Sequence, residues 1–250
     1  MVKAKKHLGQ HFLRSNERAI QLAENLSFSK HVLEVGPGTG ILTKELLKLE
    51  GDLKAAEVDD ESIDFLLGNR ILDTSQIIRE NFLKLNLAEL NSKDLCIAGN
   101  FPYYISSQIV IKVIENYPYV IEMIGMFQKE VAQRIVASPG SKTYGGISVL
   151  VASRYDTKYL FELSEDEFSP PPKVKSAVIS MIRKESPLSE SSYAALSRVV
   201  KLAFNQRRKT LRNSLKSISN EIEIPSEMLQ QRPEQLSLKD FLVLSEQLLH

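Results

Sequence analysis

Apolar positions along the chain fall into two alternating patterns. Short apolar runs read as buried strands over residues 31–36, 53–58, 76–79, 95–98 and 120–127. Segments with apolar residues at helical spacing separate them, over 15–26, 39–49, 61–67, 106–116 and 129–137. In the first of these Ser15 can cap the helix, and Ile20, Leu22, Ala23 and Leu26 form its apolar stripe. This strand–helix alternation predicts an α/β fold, a mainly parallel sheet with helices on both faces. Such sheets bind ligands at the carboxyl ends of their strands, where the strand order reverses. After Tyr144 the pattern changes. Strands over 159–163 and 174–182 are joined by only about ten residues, too few for a helical crossover, which predicts an antiparallel hairpin at one end of the sheet. From Ser186 onward the chain reads as helical, with loops near Pro225 and Pro233. The expected organisation is therefore a domain over residues 1–184 and a small α-helical domain over 185–250.

Composition narrows the class. With 250 residues, 43% hydrophobic and 25% charged, the chain can bury substantial cores and is not expected to be disordered. A formal net charge of +1 excludes a generally basic binder, so any nucleic-acid surface must come from local patterning. One cysteine, Cys96, excludes an internal disulfide framework and a cysteine-based zinc cluster, and the four histidines are scattered. No metal site is expected. No apolar run is long enough for a membrane span, and the basic start is not followed by an apolar signal core. A cytoplasmic protein, monomeric and away from membranes, is the expectation.

Two turns carry chemistry. Gly36, Gly38 and Gly40 follow the first long strand, two residues after Glu34, and open a helix. Glycines there let the backbone turn tightly and let a ligand approach the main chain. The spacing is G-x-G-x-G, not the G-x-G-x-x-G of a dinucleotide fingerprint, so that fit is poor. Glu57 ends the next strand, about 20 residues on, where a carboxylate can accept both ribose hydroxyls of a nucleoside cofactor. Together these fit S-adenosylmethionine (SAM); the plainer alternative is a strand-to-helix turn that needs its glycines for geometry alone.

The second turn, Asn100, Phe101, Pro102 and Tyr103, ends the fourth strand on the same rim. An adenine amino group is a poor nucleophile because its lone pair is delocalised into the ring. The Asn100 side-chain oxygen and the Pro102 carbonyl could each accept one of its N–H hydrogens, favouring a pyramidal nitrogen aimed at a SAM methyl group and stabilising the positive charge that develops. Tyr103 could stack on the base, a contact worth about 1–3 kcal/mol. The plainer alternative is a proline turn with Tyr103 in the core.

With both turns present the chain resembles the class I SAM-dependent methyltransferases that act on adenine N6, and more narrowly the ribosomal RNA adenine dimethyltransferase family. The resemblance runs from Lys6 to about Leu215 and is carried, in order, by segments 8–13, 34–40, Glu57, 100–103, 128–131, 144–149, 168–174 and 204–213. It implies a Rossmann-like catalytic domain. It implies that His11 and Leu13 line the SAM site from the N-terminal segment, that Gly36 and Gly38 pack on the methionine part, and that Glu57 holds the ribose, with Asn100 also beside the cofactor. Asn81 stands where the family usually has an Asp that accepts from the cofactor's adenine amine; an Asn oxygen can still accept that bond without charge. Phe168 would cover the target adenine opposite Tyr103, on a stiff exposed loop set by the three prolines that follow Ser169. Phe101 replaces the family's usual Leu, a change expected to concern packing.

From Arg198 to Lys216 the chain carries basic residues and no acid. Read as one helix, Lys201, Arg208, Arg212 and Lys216 share a face, with Arg207, Arg208 and Lys209 locally dense. Such a face suits phosphate contacts, which supply affinity and salt dependence but little sequence readout; a solvated surface helix is the alternative. Lys3, Lys5, Lys6, Arg14 and Arg18 add positive charge near the start. These features suggest a substrate much larger than a nucleotide. The resemblance implies methyl transfer from SAM to N6 of two adjacent adenines in the terminal hairpin loop of small-subunit (16S) rRNA, with the small ribosomal subunit as partner and the C-terminal helices helping to dock on it. The alternatives are a large-subunit rRNA adenine methyltransferase of the resistance type, a non-catalytic ribosome-assembly factor on the same fold, and a nicotinamide dehydrogenase.

Overall fold

The computed structural model describes residues 2–90 and 94–249. The elements, in order, are β1 (Phe12–Leu13), α1 (Asn16–Glu24), β2 (His31–Val35), α2 (Ile41–Leu46), β3 (Asp52–Ala56), α3 (Asp60–Gly68), β4 (Ile77–Ile78), β5 (Leu95–Asn100), α4 (Ser106–Glu115), β6 (Val120–Gln128), α5 (Lys129–Ile135), α6 (Gly146–Ala152), β7 (Tyr155–Leu163), β8 (Phe168–Ser169), β9 (Ser176–Arg183), α7 (Glu190–Asn205), α8 (Leu211–Ser214) and α9 (Leu238–Glu246). Ser15 caps α1, accepting from the Arg18 amide, as its sequence position suggested.

A seven-stranded sheet has the order β4-β3-β2-β5-β6-β9-β7. The pairs β4–β3, β3–β2, β2–β5 and β5–β6 are parallel, and β9 runs antiparallel to β6. The chain starts in the middle at β2, builds outward to β4, then returns to place β5 on the other side of β2. The crevice between β2 and β5 is the switch point, and both turns singled out in the sequence lie at its carboxyl rim. The central strands are buried on both faces; Val32, Leu33, Val35, Cys96, Ile97 and Ala98 are all enclosed. Phe101 fits because Gly99 and Gly125 carry no side chain beside it: a Cβ on Gly125 would stand 2.3 Å from its ring. Phe101 is buried against Phe127, with ring centres 5.1 Å apart, so its role is packing as expected.

The chain divides into two compact units, Met1–Ala132 with Lys158–Arg183, and Gln133–Thr157 with Lys184–His250. The expected division at 184/185 falls beside the last of the three crossings and misses the two that bound segment 133–157. Segment 133–157 belongs with the helical unit because Tyr144 and Val149 are buried with Leu196, Val200, Phe241 and Leu244 rather than in the core of the sheet. In that unit the buried Arg154 lies over the Tyr193 ring at 3.9 Å and donates to the carbonyls of Leu188 and Ser189. The single basic helix expected over 198–216 is not formed. α7 ends at Asn205, and Arg207, Arg208 and Lys209 lie on a turn closed by the Lys209 amide on the Gln206 carbonyl. No helix among the described residues is long and apolar enough to cross a membrane.

Candidate active site

A cleft partly open to solvent lies at the carboxyl rim of β2, β3 and β5. It is lined by Gly36 and Gly38 after β2, Glu57 after β3, Asn81 after β4, and Asn100, Pro102 and Tyr103 at the end of β5. The N-terminal segment from Leu8 to Phe12 forms a strap along one side. Of the expected residues, His11, Gly36, Gly38, Glu57, Asn81, Asn100, Pro102 and Tyr103 are thus brought together. Leu13 lies in an adjoining recess with Glu34, Gly36, Gly38 and Asn100.

The glycine turn is a cradle in the literal sense. Gly36 and Gly38 have φ of +70° and +55°, and space is open where a Gly36 side chain would stand. A Cβ on Gly38 would come within 2.9 Å of the Phe12 ring, so the strap closes directly on the turn. Beneath it Glu34 is 1% exposed, and its Oε2 has no hydrogen-bond partner among the described residues. Burial pushes its pKa up to about 8, against the pull of Thr43 and with some help from Glu57. A buried acceptor left unpaired beside a glycine cradle fits the ammonium group of a bound amino acid moiety. Glu57 is also buried, and burial raises its pKa; the amides of Asp59, Val58 and Gly38, all bonded to its carboxylate, pull the other way. These bonds fix the carboxylate and leave further lone pairs for ligand hydroxyls. The residues present therefore fit SAM.

Asn81 lines the cleft and also has a local structural bond. Its Oδ1 accepts the Leu83 amide at 2.9 Å and caps the short turn that follows. The oxygen expected to meet an adenine amine thus keeps one lone pair for it, and the other half of the amide is a donor.

At the second turn the Asn100 amide Nδ2 donates to the His11 carbonyl at 2.7 Å. A carbonyl only accepts, so this bond fixes the amide's orientation and leaves Oδ1 as an acceptor with no partner among the described residues. The Pro102 carbonyl takes the Ile105 amide at 3.2 Å, which closes a short helical turn and leaves one lone pair. The Tyr103 hydroxyl bonds to Ser176 Oγ, and burial raises the phenol's pKa.

The sandwich of Tyr103 and Phe168 is not formed. Phe168 is not on an exposed loop: it is 1% exposed, pairs with Leu13 in a two-stranded ladder of β1 and β8, and joins the core with Leu163 and Val178. The ring stacked on Tyr103 is instead His11, at 5.4 Å and 23°. Its Nδ1–H donates to the Pro170 carbonyl at 2.7 Å. A base would stack on the other face of Tyr103 or take the imidazole's place.

Two residues escaped the sequence reading. Asp59 is buried and holds the strap through Lys5 and Gln10. Burial pushes its pKa up, but hydrogen bonds from Lys5, Gln10 and Ser62 outweigh that and hold it below the ordinary value. The acidic run directly after Glu57 was its signal. Tyr104 lines the cleft and is widely exposed, and its only signal was adjacency to Tyr103. The basic residues Lys201, Arg207, Arg208, Lys209, Arg212 and Lys216 lie in the other unit and are all exposed. Arg198 is tied to Glu221 at 2.7 Å, and Arg207 donates to the Lys142 carbonyl.

A parallel sheet split between β2 and β5, with a glycine turn on one side of the split and an oriented amide on the other, is the architecture of class I SAM-dependent methyltransferases. The chain belongs to the ribosomal RNA adenine dimethylase family, which it matches over residues 1–241. It is 48% identical over 254 residues to ribosomal RNA small subunit methyltransferase A of Flavobacterium johnsoniae, covering 99% of this chain and 96% of that protein. Among solved structures, a dimethyladenosine transferase from Plasmodium falciparum superposes with a TM-score of 0.77 at 24% identity, covering 93% of this chain and 95% of that one. A 23S rRNA methyltransferase does so with 0.66 at 21%, covering 96% and 100%. At those identities the two structures speak for the shared fold.

Proposed function

We propose that the chain transfers methyl groups from SAM to N6 of two adjacent adenines in the terminal hairpin loop of small-subunit (16S) rRNA, working as a cytoplasmic monomer on the small ribosomal subunit. The observation that carries this reading is the Asn100 amide, turned by the His11 carbonyl so that Oδ1 is free at the rim of a cleft built for SAM. The near full-length likeness to a small-subunit rRNA methyltransferase supports the substrate.

When bound, SAM supplies an electrophilic methyl group. Glu34 and the glycine turn hold its amino acid part, and Glu57 holds the ribose. Asn100 Oδ1 and the Pro102 carbonyl accept the two N6–H hydrogens, orient the nitrogen lone pair and stabilise its developing positive charge. No strong base is needed, since the amine proton becomes acidic once nitrogen is alkylated and is lost to water, while the cofactor's sulfur is left as a neutral thioether. Tyr103 stacks on the base and holds it in line. A loop nucleotide costs little to unstack, which suits entry of the base.

The test is transfer from labelled SAM to unmethylated small subunits, large subunits and naked rRNA, with site mapping. N6,N6-dimethyladenosine in the small-subunit terminal hairpin is expected; label only in large-subunit RNA would overturn the substrate, and binding without any transfer would favour an assembly factor. Asn100→Ala should lower kcat on the order of 100-fold or more while RNA affinity is kept.

A further inference from the structure

Tyr104 is 58% exposed, on the short turn between β5 and α4 and one residue beyond Tyr103. One side of its ring rests on the strap, where a Cβ on Gly9 would stand 2.9 Å from it. The rest of the ring gains nothing from burial. An aromatic face left open at the mouth of a cleft is an available stacking surface.

The loop before β9 reaches the same rim. The Tyr103 hydroxyl bonds Ser176 Oγ at the start of β9, and the Lys129 amide donates to the Lys175 carbonyl. Between them and Pro172 lie Lys173, Val174 and Lys175, all exposed. The nearby acid Glu162 is already bonded to Lys129 at 2.8 Å. An open aromatic face and two exposed cations thus adjoin Tyr103 within one unit. This pairing matches a single-stranded nucleic acid, whose bases have free faces and whose phosphates need counter-charge; in a duplex the base faces are taken by neighbouring bases.

We propose that Tyr104 and the Lys173–Lys175 loop form a binding path for single-stranded RNA beside the target nucleotide, with Tyr104 stacking on the adjoining base and the two lysines contacting its flanking phosphates. The inference rests on the proposed methylation of an RNA adenine and adds a substrate contact to that site.

The test uses the full chain with unmethylated small subunits and with a short adenine-containing single-stranded RNA oligonucleotide. Tyr104→Ala should raise KM for the oligonucleotide roughly tenfold, with kcat within about twofold, and Tyr104→Trp should restore it. Replacing Lys173 and Lys175 by Gln should reduce the slope of log affinity against log salt by about 1.4, the release expected for two single-strand phosphates. SAM affinity, measured in parallel, should stay unchanged in the lysine variant and should change by much less than KM in the Tyr104 variants. Unchanged KM and salt slope would overturn the inference while leaving the proposed function intact. A KM that rises only in step with weakened SAM binding would overturn it too, since Tyr104 would then merely support the strap. No transfer to RNA by the unaltered chain would overturn both.

Discussion

Asn81 shows how one atom can decide a contact. Its Oδ1 is committed to the Leu83 amide, so it offers an adenine amine little beyond a second lone pair. An Asp would cap the turn with one oxygen and present the other, with charge, to the cofactor. Asn81→Asp should therefore tighten SAM binding by about five- to thirtyfold, the worth of one charge-assisted bond of roughly 1–2 kcal/mol. Titration calorimetry checks this, and equal or weaker binding would mean that the amide already meets the cofactor as a donor. Glu34 makes a second prediction at the same scale. Its pKa of about 8 lies above the ordinary 4.5, so the folded state holds the proton more tightly. Its contribution to stability is then complete below about pH 4.5 and is lost as the pH rises through about 8. Glu34→Gln stays neutral throughout, so the variant's Tm without cofactor should fall less steeply between pH 5 and 9, a range set by that shift. Parallel melting curves would show that Glu34 is ionised in the fold at all these pH values.

At the scale of elements, the strap holds the site together. It is latched at one end by Lys5 and Gln10 on Asp59 and at the other by the His11 contacts to Asn100, Tyr103 and Pro170. Asp59→Asn removes the charge that holds Lys5 but keeps the side chain's shape. Amide hydrogen exchange over residues 8–12 should then speed up several-fold while β5 is unaffected; unchanged exchange would mean that the His11 end suffices. The sequence made the sheet legible because its parallel strands are short apolar runs, the two central ones running up to Gly36 and Asn100, and Glu34, Gly36, Gly38, Glu57, Asn100, Pro102 and Tyr103 could be placed at strand ends by counting. The strap contacts were not legible. Nothing local says that Phe168 pairs with Leu13 or that His11 covers Tyr103, since these are long-range contacts. The basic segment misled for a related reason. Its periodicity is helical throughout, yet the Leu211 and Arg212 amides donate to the Gln231 and Leu229 carbonyls, and those tertiary bonds replace helix continuation.

For the whole molecule, a net charge of +1 supplies no general attraction to RNA, so the proposed docking on a ribosomal particle requires local groups. The division at Gln133–Thr157 was hidden for a similar reason: the apolar pattern of a helix does not say which core it enters. In the helical unit, Lys201, Arg207, Arg208, Lys209, Arg212 and Lys216 remain exposed although the helix carrying them is broken. The break sharpens the expectation, because it gathers Arg207, Arg208 and Lys209 on one turn instead of spreading them around a helix. Replacing these three by Gln should weaken binding to small ribosomal subunits at low salt and reduce the slope of log affinity against log salt by about 2–3, nearly one for each duplex phosphate left without its cation. Surface positions of this kind shift stability within about 0.5 kcal/mol, so Tm and SAM affinity should hold, apart from a small decrease in Tm from removing the Arg207 bond to Lys142. Transfer to a short RNA oligonucleotide, which engages the catalytic unit alone, should also hold. An unchanged salt slope would leave the turn as solvated surface and shift the docking role to the lysines of the catalytic unit.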